Sequence, residues 1–224
     1  MMKIYYFSGT NHSKKVAEYV GGRLGIKTVS IEELVKQRKE QCHTAVVVFP
    51  VYCERVPKLV QSFLKRLEAN GVALIATYGN VCPGNALYYA QKRIKGHIIA
   101  GAYVATGHTY LNEEAVFDAG ELDVICEKIR AHRPCILPKQ KGHFWAHLFP
   151  RWRSQLGVSI TRNTKCNHCG ICERQCPMQA IHKERIGIKC IRCLRCVNNC
   201  PQGALEFTLH PILKAYLQKE RKGL

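Results

Sequence analysis

Cys166-x-x-Cys169-x-x-Cys172-x-x-x-Cys176-Pro177 recurs 24 residues later as Cys190-x-x-Cys193-x-x-Cys196-x-x-x-Cys200-Pro201. The duplication runs on into Ala180-Ile181 and Ala204-Leu205. Eight of the chain's 13 cysteines fall in this stretch, and the other five (Cys42, Cys53, Cys82, Cys126, Cys135) are scattered singly. Thirteen cysteines in a small secreted chain would suggest disulfides. Here the N-terminus, Met1-Met2-Lys3-Ile4-Tyr5-Tyr6-Phe7-Ser8-Gly9, lacks the long apolar core of a signal peptide, so regular spacing suggests metal. A cubane needs four soft thiolates converging on four irons; a tight CxxCxxC loop supplies three, and the fourth comes from elsewhere. Zinc takes two CxxC pairs, which leaves the third evenly spaced cysteine of each loop surplus. The pattern therefore favours two [4Fe–4S] clusters over a pair of zinc sites.

Residues 160–210 resemble the bacterial two-[4Fe–4S] ferredoxins, a likeness that implies electron transfer. In the two-cluster pattern the cysteine before proline ligates the other cluster. That pattern implies Cys166, Cys169, Cys172 and Cys200 for one cluster, and Cys190, Cys193, Cys196 and Cys176 for the second. Two departures stand out. Cys169-Gly170-Ile171-Cys172 keeps the usual glycine, whereas Cys193-Leu194-Arg195-Cys196 does not. Arg192 and Arg195 also sit inside the second loop, where cationic charge favours the reduced, more negative cluster. The second cluster is expected to have the higher potential.

Residues 3 to 133 alternate strand-like and helix-like segments. Lys3–Phe7, Thr28–Ile31, Thr44–Phe49, Val72–Tyr78 and His97–Ala105 read as strands, of which Thr44–Phe49 and Val72–Tyr78 are apolar enough to be buried on both faces. Lys14–Leu24, Glu32–Lys39, Pro57–Leu67, Asn85–Ile94 and Leu122–Ala131 read as helices from their apolar spacing. Five strands alternating with helices predict a doubly wound, five-stranded parallel α/β sheet, followed by a small α+β ferredoxin-type domain. Ligands of such sheets bind at the carboxyl ends of the strands. The loops Ser8–Ser13, Pro50–Val56 and Thr77–Asn85 are the candidates.

Ser8-Gly9-Thr10-Asn11-His12-Ser13 joins the first strand to the first helix, and its hydroxyls and backbone N–H groups suit a phosphate; simple helix capping is the plainer alternative. Residues 3–133 resemble a short-chain flavodoxin, whose phosphate motif is T/S-x-T-G-N-T/S. Here Asn11 replaces the glycine and His12 the asparagine; asparagine tolerates positive φ. The resemblance implies FMN on Ser8, Thr10, Asn11, His12 and Ser13. It places the isoalloxazine ring between Pro50-Val51-Tyr52 (with Cys53) and Thr77-Tyr78-Gly79-Asn80. The whole order resembles the flavodoxin–ferredoxin fusion proteins of anaerobic bacteria, which implies FMN and two cubanes in one cytoplasmic chain.

The formal charge is +18, and two clusters at −2 each lower it to roughly +14. Residues 138–224 hold 16 Lys/Arg against 4 Asp/Glu, and residues 1–137 hold 18 against 12. The excess in the C-terminal part predicts an acidic redox partner, with weak membrane-surface contact as a second reading and nucleic acid not expected. Residues 138–160, rich in basic and aromatic side chains (Phe144, Trp145, Phe149, Arg151, Trp152, Arg153), read as a linker between domains 1–137 and 161–224. Phe144, Leu148 and Trp152 are spaced by four, enough for one apolar face. No G-x-G-x-x-G follows a strand, so no NAD(P)H site is expected, and no run of about 18 apolar residues suggests a membrane span. An FMN-dependent reductase, or a cluster sensor or assembly factor without flavin, are the competing functions. The sequence does not address oligomeric state.

Overall fold

The computed structural model describes residues 1–140, 155–183 and 185–222, with side chains described to residue 218. The chain forms two compact units, Met1–His143 and Phe144–Leu224. Most of the 138–160 segment, including the Phe144, Leu148 and Trp152 face, lies outside the described residues.

In the first unit, β1 (Met2–Tyr6), β2 (Thr28–Ser30), β3 (Glu40–Pro50), β4 (Leu67–Tyr78) and β5 (Lys95–Ala105) form one sheet in the order β2-β1-β3-β4-β5. Every pairing is parallel. This is the flavodoxin-like order, whose direction reverses between β1 and β3 and opens a crevice there. Three helices connect strands, α1 (His12–Leu24), α2 (Lys58–Arg66) and α3 (Ala86–Gln91), and α4 (Ala119–Ala131) follows β5. Ala45–Phe49 and Val72–Ala76 are wholly buried, as runs apolar on both faces require. Ile4, Val46, Val48 and Ile75 pack on one face with Val16 and Val20 of α1 and Leu122, Ile125 and Ile129 of α4. On the other face the Tyr5 ring lies 4.9 Å from Phe63 of α2. Burying a side chain of that size contributes about 1.5–3 kcal/mol.

The expected helix over Glu32–Lys39 is absent. The backbone instead bonds three residues back, Leu34 N to Ile31 O at 3.2 Å and Gln37 N to Leu34 O at 3.0 Å, as a run of turns. Only Ile31 is buried there, Val35 is exposed, and Arg66 of α2 takes the Leu34 carbonyl at 2.9 Å. One buried residue is too little packing to hold a short helix. The helix expected to end at Ile94 is likewise shorter, ending at Gln91.

After α4 the chain doubles back beside β5. Cys135 N donates to Ile98 O at 2.7 Å. Gln91 donates its amide to Leu137 O and accepts from Leu137 N at 3.0 Å, and Asn85 does the same to Gln140, at 3.1 and 2.7 Å. Gly101 leaves room for the Leu137 side chain, which a Cβ there would strike.

In the second unit β6 (Val158–Arg162) pairs antiparallel with β9 (Leu205–Leu209), and β7 (Ile181–His182) with β8 (Arg185–Ile186). The strand β6 begins inside the segment read as linker. Short helices α5 (Ile171–Arg174) and α6 (Arg195–Asn198) follow the two cysteine loops, and α7 (Pro211–Lys222) follows β9. The sequence repeat is also a conformational one. His168 and Arg192 have φ of 58° and 55°, Gly170 and Leu194 70° and 59°, and Gln179 and Gly203 47° and 56°.

Candidate functional site

The parallel sheet delivers the loops after β1, β3 and β4 to one edge. Asn11 adopts the left-handed conformation (φ 66°, ψ −5°) that the glycine substitution demands, and starts α1 with no side-chain cap and no acidic residue in the first turn. The first turn's N–H dipoles therefore face the loop without a competing carboxylate. The hydroxyls, however, are engaged within the protein. Buried Ser13 shares a 2.7 Å hydrogen bond with the Thr77 hydroxyl, and Thr10 a 3.0 Å hydrogen bond with Thr109. Ser8 is buried at the end of β1.

The second loop is a tight turn. Tyr52 and Arg55 exchange backbone hydrogen bonds at 3.0 and 3.1 Å, and Cys53 and Glu54 between them both have positive φ, 50° and 61°. That is the type I′ geometry, which normally selects Asn-Gly. Val51 N bonds Thr77 O at 2.8 Å, so Pro50-Val51 runs alongside the third loop. There Tyr78 packs edge-on to Tyr103 with centroids 6.3 Å apart, and Asn80 has φ 55°.

A fourth loop, after β5, completes this edge and escaped the sequence reading. Thr106 N bonds Tyr78 O at 2.8 Å, and a Cβ on Gly79 would lie 2.5 Å from Cδ2 of His108. The missing side chain of Gly79 thus accommodates an imidazole. His108 N donates to Glu113 Oε2 at 2.8 Å and its Nδ1 accepts from Tyr110 N at 3.2 Å. His12 turns to the same loop: burial holds its imidazole below the ordinary value, partly offset by a hydrogen bond to the Gly107 carbonyl. Thr10 and His12 on one side and Gly107 and Thr109 on the other therefore tie the first loop to the fourth. The Gly107-His108-Thr109 run between β5 and α4 was the available signal.

In the second unit, Cys166, Cys169, Cys172 and Cys200 line one cavity of about 220 Å³, together with Arg162, Lys183 and Gly170. Cys200 joins the first loop's three thiols there, and Cys176 does not. Burial and the negative charge of Cys193, Cys190 and Cys176 push the Cys196 thiol up to about 12, and burial pushes Cys193 up to about 11 with Cys190 and Cys176 adding to it. Cys176 thus acts on Cys193 and Cys196 alike, and Cys172 acts on Cys196 as well. Thiols that resist ionisation, as Cys193 and Cys196 do, release their protons when a metal arrives.

Backbone N–H groups support the sulfurs in matched pairs. Ala180 N lies 3.2 Å from Cys176 Sγ and Ala204 N 3.3 Å from Cys200 Sγ. Burial works to raise Cys200, but N–H groups of residues 202–205 outweigh it and hold this thiol below its ordinary value. In the second loop Arg192 N reaches Cys190 Sγ at 3.5 Å and Arg195 donates to Gln175 O at 3.1 Å, beside Cys176. Leu194, 1% exposed, takes the left-handed position that Gly170 fills in the first loop. Among the described residues no three His, Cys, Asp or Glu side chains are arranged around a single ion, and the first thiol set surrounds a cavity instead.

The 4Fe-4S binding domain family model matches residues 161–182 and 188–206, one match per repeat. An uncharacterised protein of Methanocaldococcus jannaschii is 49% identical over 45 residues, which is 20% of this chain and 18% of that protein's length. A flavodoxin from the domain Archaea matches with TM-score 0.38 and 13% identity, covering 58% of this chain and 98% of its own. The two-electron reduced flavodoxin of Megasphaera elsdenii gives 0.37 and 17%, covering 58% and 95%. These scores are low, and the fold of the first unit is assigned from its strand order. No helix among the described residues is long and apolar enough to cross a membrane. The chain thus joins a parallel α/β sheet of flavodoxin order to a ferredoxin-type 4Fe–4S binding domain.

Proposed function

We propose that this chain is an electron carrier holding two [4Fe–4S] clusters in its C-terminal domain and FMN on its α/β domain, in the cytoplasm of an anaerobe. The observation that carries the reading is the cavity that Cys200 lines together with Cys166, Cys169 and Cys172 and without Cys176, which leaves Cys176 to serve Cys190, Cys193 and Cys196. Arg195 and the N–H groups at 180 and 204 would favour the more negative, reduced state of the clusters. The basic C-terminal part would meet an acidic redox protein.

The α/β domain supports flavin through three features: the crevice between β1 and β3, the uncapped start of α1 after left-handed Asn11, and the aromatics Tyr52 and Tyr78 on adjoining loops. Backbone N–H groups at residues 12–14 would hold the phosphate, and the Tyr52 and Tyr78 loops would border the ring. A flavin supplies exchange of two electrons in single steps, which links pair donors to one-electron clusters. Specific contacts also favour a second reading, a cluster protein whose α/β domain holds no flavin. Thr10 and Ser13 bond Thr109 and Thr77, His12 turns to Gly107, and His108 lies against Gly79.

Anaerobic purification with iron, sulfide and flavin counts decides between them. About eight irons and one FMN per chain support the carrier with flavin. The same iron without flavin supports the second reading, and colourless, iron-free protein removes both.

A further inference from the structure

The two halves of the cysteine repeat share one scaffold and differ in what decorates it. Left-handed residues recur at 168 and 192, 170 and 194, and 179 and 203, and the N–H to sulfur bonds recur at 180 and 204. Differences between the halves therefore belong to side chains, not to backbone shape.

The first half has Glu173, which pairs with His182 at 3.1 Å, and the acid at the end of the second half, Glu206, is turned to β6, where it accepts from Asn163 at 2.6 Å. From Arg185 to Gly203 there is no Asp or Glu, while Arg185, Lys189, Arg192 and Arg195 supply four positive charges. Lys189 directly precedes a thiol of the second set, and Arg192 and Arg195 lie within its loop.

Beside these charges is apolar surface. Ile188, two residues before Cys190, is 87% exposed. Gln155 donates its amide to Ile188 O at 2.7 Å, and its sequence neighbour Leu156 is 69% exposed. Exposed apolar side chains bordered by charge of one sign have the composition of a protein docking face, with an apolar centre and a steering rim.

We propose that electrons pass to or from an acidic redox protein at the second cluster, docked on Ile188 and Leu156 and steered by Lys189, Arg192 and Arg195. The proposal rests on the electron-carrier reading. Charge complementarity selects the partner: an acidic surface gains at this rim, where no carboxylate of the second loop opposes it. Two exposed apolar side chains also present less area than the whole helix face that binds lipid.

The test follows electron transfer from the dithionite-reduced, cluster-loaded full chain to a purified acidic flavodoxin by stopped flow, across ionic strength. Lys189→Glu and Ile188→Thr are compared with Lys165→Glu, which makes the same charge change beside the first loop. The second-order rate is expected to fall about tenfold in Lys189→Glu, with a shallower salt dependence. Ile188→Thr should slow it at all salt concentrations, and Lys165→Glu should leave it within about twofold. Visible absorbance confirms cluster content in each variant. Equal slowing by Lys165→Glu and Lys189→Glu overturns the docking face, since net charge alone then governs the rate. Unchanged rates in all variants overturn it too, as does loss of binding to phosphatidylglycerol vesicles in Lys189→Glu with the protein rate intact. Oxidation by a small neutral cobalt(III) complex separates the two levels: failure of the reduced wild type to respond removes the carrier reading itself.

Discussion

The two domains hold themselves together by different means. The α/β unit buries five consecutive residues in each of β3 and β4, with helical side chains packed on both faces. In the cluster unit the described buried hydrophobics are Val158, Ala180, Ile181, Leu194, Ala204, Leu205 and Leu217. Among the described residues that handful, set around the thiols, is a small core against the entropy of ordering its loops. Metal binding would supply the difference. One domain carries its own apolar core; the other would gain order from what it binds.

Removing iron is the largest perturbation available. Anaerobic chelation should abolish amide-exchange protection across residues 158–209 and leave β3 and β4 protected. Protection that survives in the C-terminal unit would break the contrast. Single-thiol losses sharpen it: Cys200→Ala should deplete the cluster of Cys166, Cys169 and Cys172, and Cys176→Ala the other, each read as four irons lost from about eight. Loss of the cluster in the same half would show uncrossed ligation.

Smaller effects tune each domain without dissolving it. Arg195→Ala removes a cation that lowers the charge penalty on nearby Cys193. A redox titration should then show the second cluster's potential falling by roughly 10–60 mV, where 59 mV is a tenfold shift for one electron, with the first cluster unmoved. Equal shifts in both would defeat the assignment. Arg162 and Lys183 line the first cavity, so each cluster has its own cations and the absolute order of the two potentials is itself a measured outcome.

The smallest effect concerns His12. Its imidazole is held below its ordinary value, so the unfolded chain binds the proton more readily. The neutral form contributes stability above the unfolded value, and that contribution is lost as pH falls through the folded one. His12→Asn should flatten the decline of Tm between pH 7 and 5 in the α/β domain while leaving cluster absorbance alone. An unaltered pH profile would show that the burial of His12 does not couple to folding.

How much was legible follows from the same physics. The 4Fe–4S binding domain was readable because cage chemistry constrains residue type and spacing together. Thr44–Phe49 and Val72–Tyr78 were readable because burial on both faces leaves an uninterrupted apolar run. The turns at 32–39 misled because Ile31, Leu34 and Val35 mimic helical spacing while only Ile31 is buried. The loop after β5 was missed because its role depends on contacts with residues some ninety-five positions away, such as Thr10 with Thr109. Asn11 was foreseen from its own tolerance of positive φ, but nothing local announces that Leu194 must share that conformation. Leu194 holds it as a buried side chain in a loop built around thiols.

The segment from Cys135 to Gln140 has a practical consequence. β5 is the outermost strand on its side of the sheet, and such a strand offers unpaired backbone groups to any passing chain. Cys135 and Leu137 lie over that rim, secured by the amides of Gln91 and Asn85. A fragment cut just after α4 would lose this shield and self-associate, whereas one extended to Gln140 would keep it. Six residues that look like the start of a tether serve as the sheet's guard against aggregation.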